Sequence, residues 1–361
     1  MTLNREVEFD FIRIISIILI VFSHIIRFDD QILNLLIISL GIIGNGAFFF
    51  ISGYLIHLNN QKIESITDII SFYRKRVLRI FPLYWIALIV SIIVFTNYNY
   101  TPLFVAGHFL GIQMIIYPKF IATNISPFWF IGMLLIYYLI YPILIFLKAN
   151  TPKKMLILST LFFILLVAIK LITGFFGGSI FEYYYIFIAG ILVNQMTLFT
   201  YILNDKFKYL YYISPVVVFL VLYFSATCNL MMDDKISPIT LNVIIYVVGT
   251  VILRWVLIFS SILCMYYSFK LLLSDSNSLI PYVMMGSVSS YAIFLFHKPF
   301  FYYFQDLLDV LNIQNIIVYN SIQVVIGIPL VFLMCYYITT YFDFMTERIS
   351  GWFQTKTLKT I

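Results

Sequence analysis

Two ionisable residues in the first long apolar segment are spaced for chemistry. Arg13 and His24 lie eleven residues apart in a run that is otherwise almost wholly apolar. On an α-helix this spacing is about 1100°, within about 20° of three turns, so both side chains share a face and lie about 16 Å apart along the axis. A histidine can serve as a general base, and an arginine can hold an anionic group. The alternative stays open that Arg13 extends to lipid headgroups and that His24 is a hydrogen-bonded core residue.

Four basic residues within six positions form a second candidate site: Arg74, Lys75, Arg76 and Arg79. If the segment is helical, Arg76 and Arg79 are neighbours at i and i+3 and can together clamp phosphate groups. The competing interpretation is that the cluster orients the chain in a membrane and contacts anionic lipids.

A third group of polar residues lies near the end of the chain. Ser290 and Tyr291 are followed by His297 and Lys298 within a long apolar stretch. Ionisable residues in such a stretch cost free energy, so they need either a partner or a function. His297 and Lys298 are expected at about the same depth in the membrane as His24. This predicts a polar cluster shared by several helices.

Four further residues are candidates for a supporting role. Gly53 allows close backbone approach, Ser52 can hydrogen-bond across helices, and a buried Asn45 needs a partner. Trp129 begins an apolar segment and equally suits an interfacial aromatic belt. The four histidines have no metal-ligand spacing, so no metal site is expected.

The elements that must position these residues follow from composition. The chain has 361 residues, of which 62% are apolar and 11% are charged, against roughly 25% charged in soluble domains. This excludes a soluble enzyme, a disordered chain and a nucleic-acid-binding domain. The net charge of +6 is therefore attributed to membrane topology, and no nucleic-acid partner is expected.

The apolar runs predict an all-α polytopic membrane protein with about ten transmembrane helices. The segment 103–117 is too short for a span and is predicted to be re-entrant or interfacial. The segment 239–273 is long for one helix, with Arg254 at its middle, and is interpreted as either a bent helix or a hairpin. The first apolar run is expected to remain as the first helix. The predicted helices are 9–28, 35–57, 79–96, 128–147, 155–174, 182–200, 209–225, 239–273, 286–304 and 316–341.

The basic residues orient these helices. With both termini in the cytoplasm, only Arg27, Lys119 and Lys235 fall in outer segments, which agrees with the positive-inside rule. We expect one transmembrane domain over 1–341 and a short cytoplasmic tail over 342–361. The inner segments then contain Arg5, Lys62, Arg74, Lys75, Arg76, Arg79, Lys148, Lys153, Lys154, Lys206, Lys208, Arg348, Lys356 and Lys359.

Taken in order, five motifs resemble the membrane-bound acyltransferase-3 family, from about residue 5 to 341. The first is Arg13…His24, which is similar to the family's Arg-x10-His on helix 1. The others are similar to its Phe-Phe-x-x-Ser-Gly-Phe, Arg-x-x-Arg with a following Pro, Trp-then-Tyr-then-Pro, and Ser-Tyr…His-Pro motifs. In this chain they read Phe48-Phe49-Phe50-Ile51-Ser52-Gly53-Tyr54; Arg76-Val77-Leu78-Arg79 with Pro82; Trp129, Tyr138 and Pro142; and Ser290-Tyr291…His297-Lys298-Pro299.

The resemblance implies an integral-membrane O-acyltransferase of the bacterial cytoplasmic membrane. It implies transfer of an acyl group, usually acetyl, from acetyl-CoA as co-substrate to a hydroxyl of a cell-surface polysaccharide or its lipid-linked precursor, with no permanently bound cofactor. The expected roles are catalysis by Arg13, His24, His297 and Lys298, CoA phosphate binding by the basic cluster, and support by Asn45, Ser52, Gly53, Trp129, Ser290 and Tyr291.

The chain departs from the family pattern at three places. Gly46 stands where many members have an acidic residue, Met133 and Leu134 stand near an expected Glu, and Lys298 separates His297 from Pro299. These differences bear on the identity of the acceptor. Two other functions are weighed against acyl transfer: a glycan exporter or flippase-like transporter, and a relative that has lost catalysis and only scaffolds glycan assembly.

Overall fold

The computed structural model describes most of the chain as α-helix. The described residues are 7–96, 100–117, 119–121, 125, 127–197, 213–214, 216–218, 220, 241–273 and 278–357. Within them there is no strand. The helices are α1 (Val7–Ile25), α2 (Gln31–Asn59), α3 (Ile66–Val94), α4 (Pro102–Phe109), α5 (Gln113–Ile116), α6 (Trp129–Phe146), α7 (Pro152–Thr173), α8 (Ser179–Gln195), α9 (Leu241–Leu273), α10 (Ile280–Val310), α11 (Ile316–Ile322) and α12 (Ile328–Thr357), with a π-helical segment (Gln323–Gly327) between the last two.

The prediction of an all-α polytopic membrane protein is confirmed. In the described part of the chain, seven helical stretches are long and apolar enough to cross a membrane: Gln31–Asn59, Ile66–Val94, Trp129–Phe146, Pro152–Thr173, Gly249–Phe269, Ile280–Val310 and Ile316–Met345. Helix α1 carries Glu8, Asp10 and Arg13, and α8 has 17 residues. Both pack closely against α2 in the interior of the bundle. The predicted helix 209–225 lies largely outside the described residues.

Several predicted boundaries are refined. Helix α3 begins at Ile66 rather than 79, because Ser65 and Asp68 form a capping box there. The basic cluster is therefore inside a helix. The segment 103–117 is not a span, since α4 and α5 are two short helices separated by a turn at Gly111, whose φ is +71°. Helix α9 is one continuous helix, which excludes the hairpin. Helix α12 continues past residue 341.

Two glycines allow the backbones of α2 and α8 to touch. A Cβ on Gly53 would meet the carbonyl oxygen of Phe187, and a Cβ on Gly190 would meet that of Phe50. The backbones of α2 and α8 therefore touch at two points, one at the glycine of each helix. Small residues serve this purpose in membrane bundles, where van der Waals packing replaces the hydrophobic effect between helices.

A salt bridge accounts for the charge in the middle of α9. Arg254 Nη1 lies 2.8 Å from Glu182 Oε2 on α8, and the indole nitrogen of Trp255 donates to the Glu182 carbonyl oxygen at 3.0 Å. Both charged side chains remain about one-third exposed. The ion pair therefore joins α9 to α8 and compensates both charges.

We expect Arg254→Gln or Glu182→Gln alone to lower the free energy of unfolding by about 1–2 kcal/mol. Each change leaves one charge unpaired, and the partial exposure keeps the loss below that of a fully buried pair. The Arg254→Gln/Glu182→Gln double variant should lose less than the two single losses added together. Thermal unfolding in detergent measures this cycle, and strictly additive losses would contradict the coupling.

Candidate active site

Two histidines from different helices stack against each other at one end of the bundle, here called the histidine end. His24 is at the last turn of α1, and His297 is in the middle of α10. Their ring centroids are 5.4 Å apart and their planes differ by 19°. The expected cluster around His24 therefore forms, although the residues are separated by 273 positions in the sequence.

The hydrogen bonds of His297 determine which of its nitrogens holds the proton. Nδ1 lies 3.0 Å from the Ile293 carbonyl oxygen and 2.9 Å from that of Phe294. Carbonyl oxygens only accept hydrogen bonds, so Nδ1 must be the protonated nitrogen. In the neutral ring Nε2 then carries a lone pair. This atom is buried and has no hydrogen-bond partner, so His297 presents a base rather than a donor.

Both histidines line a cavity of about 180 Å³, which is large enough for several water molecules or part of a substrate. Arg27, Lys298 and Gln305 are the other polar residues of its wall, and Ile25, Phe95, Phe301 and Tyr302 complete it. His297 is fully buried, Lys298 is half-buried, and Arg27 is exposed. The cavity thus lies between the buried ring of His297, with the half-buried ring of His24, and the surface.

The end of α1 is held in place by amide side chains from the last helices. Asn320 accepts from the Arg27 N–H and donates to the Arg27 carbonyl oxygen. Gln323, which is fully buried at the start of the π-helical segment, donates to the Ile25 carbonyl oxygen and accepts from Gln305 Nε2 at 2.7 Å. These bonds satisfy carbonyls that a helix end leaves unpaired, and they fix the backbone directly after His24.

Arg13 belongs to a second cluster, about 16 Å from His24 along the unbroken α1. Its Nη1 lies 3.3 Å from Asp10 Oδ1 one turn earlier. The same oxygen accepts from the Ser287 hydroxyl of α10 at 2.5 Å. The buried Asp10 carboxylate thereby orients Arg13 and joins α1 to α10.

Helix α10 gives an independent measure of the same separation. Ser287 contacts the Arg13 cluster, Tyr291 donates to the Ile80 carbonyl oxygen of α3 at 2.9 Å, and His297 stacks on His24. From Ser287 to His297 the helix rises about 15 Å. Along α10, Tyr291 and its contact to Ile80 of α3 lie about 6 Å from Ser287 and about 9 Å from His297. The contact to α3 is therefore closer to the level of the Arg13 cluster than to that of the histidines.

Arg76 is half-buried on the inner face of α3, and Arg79, about one turn later, is exposed. The Arg76 guanidinium lies over the rings of Phe72 and Tyr138, 5.3 and 5.5 Å from their centroids. Its Nε is buried without a hydrogen-bond partner. Arg79 is close enough to Arg76 and Tyr291 to affect both electrostatically. This end of the bundle is called the basic end below.

The other two residues of the cluster point elsewhere. Arg74 and Lys75 are exposed. On the helix they are rotated from Arg76 by about 160° and 100° respectively. Helical geometry therefore places Arg79 within about 60° of Arg76 and Arg74 on the opposite side of α3, and of the four predicted phosphate-binding residues only Arg76 is partly buried.

The remaining predicted residues lie away from the cavity wall. Gly53 makes the backbone contact with α8, and Ser52 is half-buried beside it. Trp129 packs on Phe130 and Tyr183. Ser290 donates to the Ser287 carbonyl oxygen. Asn45 is buried and its Oδ1 has no hydrogen-bond partner.

Several residues of these two clusters were not predicted from the sequence. Asp10 had a signal, because an acid three residues before Arg13 is a helical ion-pair spacing. Arg27 had none beyond its proximity to His24. The roles of Gln305, Asn320 and Gln323 depend on long-range contacts and had no local signal.

Comparison with known proteins identifies the family of the chain. No curated protein and no solved structure matches the chain. A family model described as an acyltransferase domain matches residues 6–340, which is nearly the whole chain. The clusters at both ends of the bundle and all its described spanning helices fall within or overlap the matched region. The protein is therefore a multi-pass membrane acyltransferase and belongs to the membrane-bound acyltransferase-3 family.

Proposed function

We propose that this acyltransferase moves an acetyl group from cytoplasmic acetyl-CoA to a hydroxyl of a cell-surface polysaccharide or its lipid-linked precursor, in a bacterial cytoplasmic membrane. The observation that carries the proposal is the pairing of two clusters on the same helices. The cluster around Arg13 at one end lies about 15 Å along α10 from the histidine-lined cavity at the other. The first suits an anionic donor, and the second suits the acceptor.

The basic end would bind the CoA phosphates. Arg76 and Arg79 provide adjacent guanidinium groups, which form paired hydrogen bonds to phosphate oxygens. Arg13, oriented by Asp10 and Ser287, lies towards the same end of the bundle and would guide the arm that carries the acyl group. The basic end would face the cytoplasm, as the positive-inside rule requires.

Two unpaired polar atoms support a path for that arm. Ser16 Oγ and Asn45 Oδ1 are both buried without a hydrogen-bond partner. A Cβ on Gly44 would touch Ser16 and Ile20, so Asn45 lies at the level of α1 between Arg13 and His24. Leaving such atoms unpaired costs free energy, and the amides of the pantetheine arm would satisfy them.

At the histidine end the acceptor hydroxyl would attack the thioester carbonyl carbon. His24 would take the hydroxyl proton as the C–O bond forms. Lys298 would stabilise the oxyanion, since neutral His297 has its only N–H committed to backbone carbonyls. Collapse of the intermediate would break the C–S bond, and the CoA thiolate would recover the proton from His24. The products are an ester and free CoA.

The direct test is the purified protein with labelled acetyl-CoA and glycan isolated from cells that lack the protein. Label in an alkali-labile ester on the glycan supports the proposal. Failure to label the glycan, with acetyl-CoA left intact in a correctly folded preparation, would sink it.

The arginines of the basic cluster give a further prediction. Arg76→Ala and Arg79→Ala should each weaken acetyl-CoA binding about tenfold or more, because each removes a charged hydrogen-bond donor. Arg74→Ala should change binding less than threefold, since its side chain is exposed on the opposite side of α3. Titration calorimetry measures all three variants. Equal effects of Arg74 and Arg76 would contradict a binding site on the inner face.

The transporter and scaffold alternatives predict other cellular outcomes. Short broken helices such as α4 and α5 also occur in transporters. Mass spectrometry of surface glycan with and without the protein distinguishes the cases. If the glycan of cells without the protein lacks an ester, transfer is supported. If its decoration is unchanged but less glycan is exported, transport is supported. If the ester is missing without the protein and the His24→Ala variant restores it, scaffolding is supported.

A further inference from the structure

The histidine-end cavity carries a second positive charge, on Arg27, to which the proposed acyl transfer assigns no role. Arg27 and Lys298 both line it, and they lie close enough to interact electrostatically. Across the part of the chain that the structure describes, neither side chain forms an ion pair with a carboxylate. Two like charges beside the histidine pair destabilise the empty site, so an opposite charge is expected to occupy it.

None of the acids that the structure describes at this end of the bundle lines the cavity. Asp29, Asp30, Asp306 and Asp309 are all exposed. Asp30 accepts from the Leu33 N–H as the N-cap of α2. The positive charge of the cavity wall is therefore left for a ligand.

The backbone that carries Arg27 is fixed, which suits a binding residue. Asn320 bonds both the N–H and the carbonyl oxygen of Arg27, while the side chain remains exposed at the cavity. A guanidinium on a fixed backbone can form paired hydrogen bonds to a carboxylate or phosphate with little loss of entropy.

From these observations we infer that Arg27, beside Lys298 in the cavity wall, binds an anionic group on the acceptor, so that the hydroxyl to be acylated belongs to an acidic glycan or to a glycan joined to phosphate. This inference rests on the proposed function and specifies its substrate class. The shared chemistry is an oxyanion, either a sugar carboxylate or a phosphate, held while the neighbouring hydroxyl approaches His24.

The test compares three preparations of glycan isolated from cells that lack the protein. One is untreated, one has its carboxyl groups reduced to alcohols, and one is dephosphorylated with hydrogen fluoride. With labelled acetyl-CoA and the full-length protein, we expect the KM of the untreated glycan to be at least tenfold lower than that of one neutralised preparation. A higher KM after carboxyl reduction identifies a carboxylate as the bound group, and a higher KM after dephosphorylation identifies a phosphate.

Arg27→Gln links this effect to the cavity. The variant should raise the KM of the untreated glycan about tenfold, with a smaller change in kcat. On the neutralised preparation the variant and the wild-type protein should have the same KM. Arg27→Lys should restore part of the affinity. Lys119→Gln, which removes a cation packed on Phe120 and Phe175 outside the cavity, is the matched control and should leave the KM unchanged.

Two results would overturn the inference. One is equal transfer to all three preparations by the wild-type protein. The other is an Arg27→Gln effect of the same size on charged and neutralised glycan, which would mean that Arg27 acts on the protein alone. Absence of transfer to the untreated glycan would instead be a failure of the proposed function.

Discussion

Replacement of His24 by alanine is expected to lower the rate of acyl transfer by about 10²–10⁴-fold, the contribution typical of a positioned general base. His24 fits this role because it lines the cavity at the end of α1, where the backbone after it is held by Asn320 and Gln323. The measurement is transfer of labelled acetyl to glycan by purified protein. Acetyl-CoA binding, for which we propose the other end of the bundle, should change little.

Two other histidines sharpen this prediction. His297→Gln should also reduce transfer, because it removes the ring stacked on His24 and the lone pair of Nε2. His57→Gln is the matched control. His57 is a buried histidine bonded to Tyr141 near the end of α2, away from the cavity, so its loss should affect stability more than transfer. A His24→Ala protein that acylates at the wild-type rate would exclude His24 as the base.

Gly190→Ala is expected to destabilise the folded protein by about 2 kcal/mol or more. The added Cβ would meet the carbonyl oxygen of Phe50 and the N–H of Tyr54, both backbone atoms that no rotamer change can move. The helices α2 and α8 would have to separate, which loses contacts along the most extensive interface in the bundle. The helix propensity gained by alanine, about 1 kcal/mol, offsets only part of this.

The control for this variant lies at the start of the same helix. Gly178 has no heavy atom within 4 Å of an added Cβ and has an ordinary helical φ of −57°. Gly178→Ala should therefore leave the free energy of unfolding within about 0.5 kcal/mol of wild type. Thermal unfolding in detergent compares the two. Similar stability of both variants would show that α2 and α8 do not need this contact.

Gly53 illustrates how tertiary contacts change the interpretation of a motif. The residue type predicted close backbone approach, and the family resemblance implied a supporting role at the substrate as well. In the structure Gly53 lies against Phe187 of α8, the reciprocal of the Gly190 contact. Gly53 allows the two helices to pack closely because it has no side chain. It does not line the cavity, and its supporting role at the substrate stays a prediction.

The basic cluster shows the same limit. Its composition and spacing predicted a phosphate site, and helical geometry placed Arg76 beside Arg79. Only the packing of α3 on α6 showed that Arg76 lies over Phe72 and Tyr138 while Arg74 is exposed. Periodicity alone does not determine which face of a helix is buried when both faces are apolar.

The sequence by itself determined the class of this protein, its main spans and its family. These follow from local properties: an apolar content that only a bilayer accommodates, basic residues that collect on one side, and short motifs in a fixed order. The tertiary structure decided that His24 stacks on His297, that Asp10 and Ser287 orient Arg13, and that Arg27 and Lys298 share one cavity. Those contacts join residues up to about 300 positions apart. They depend on how helices pack, and in a membrane that packing is set by shape and hydrogen bonding that no local pattern encodes.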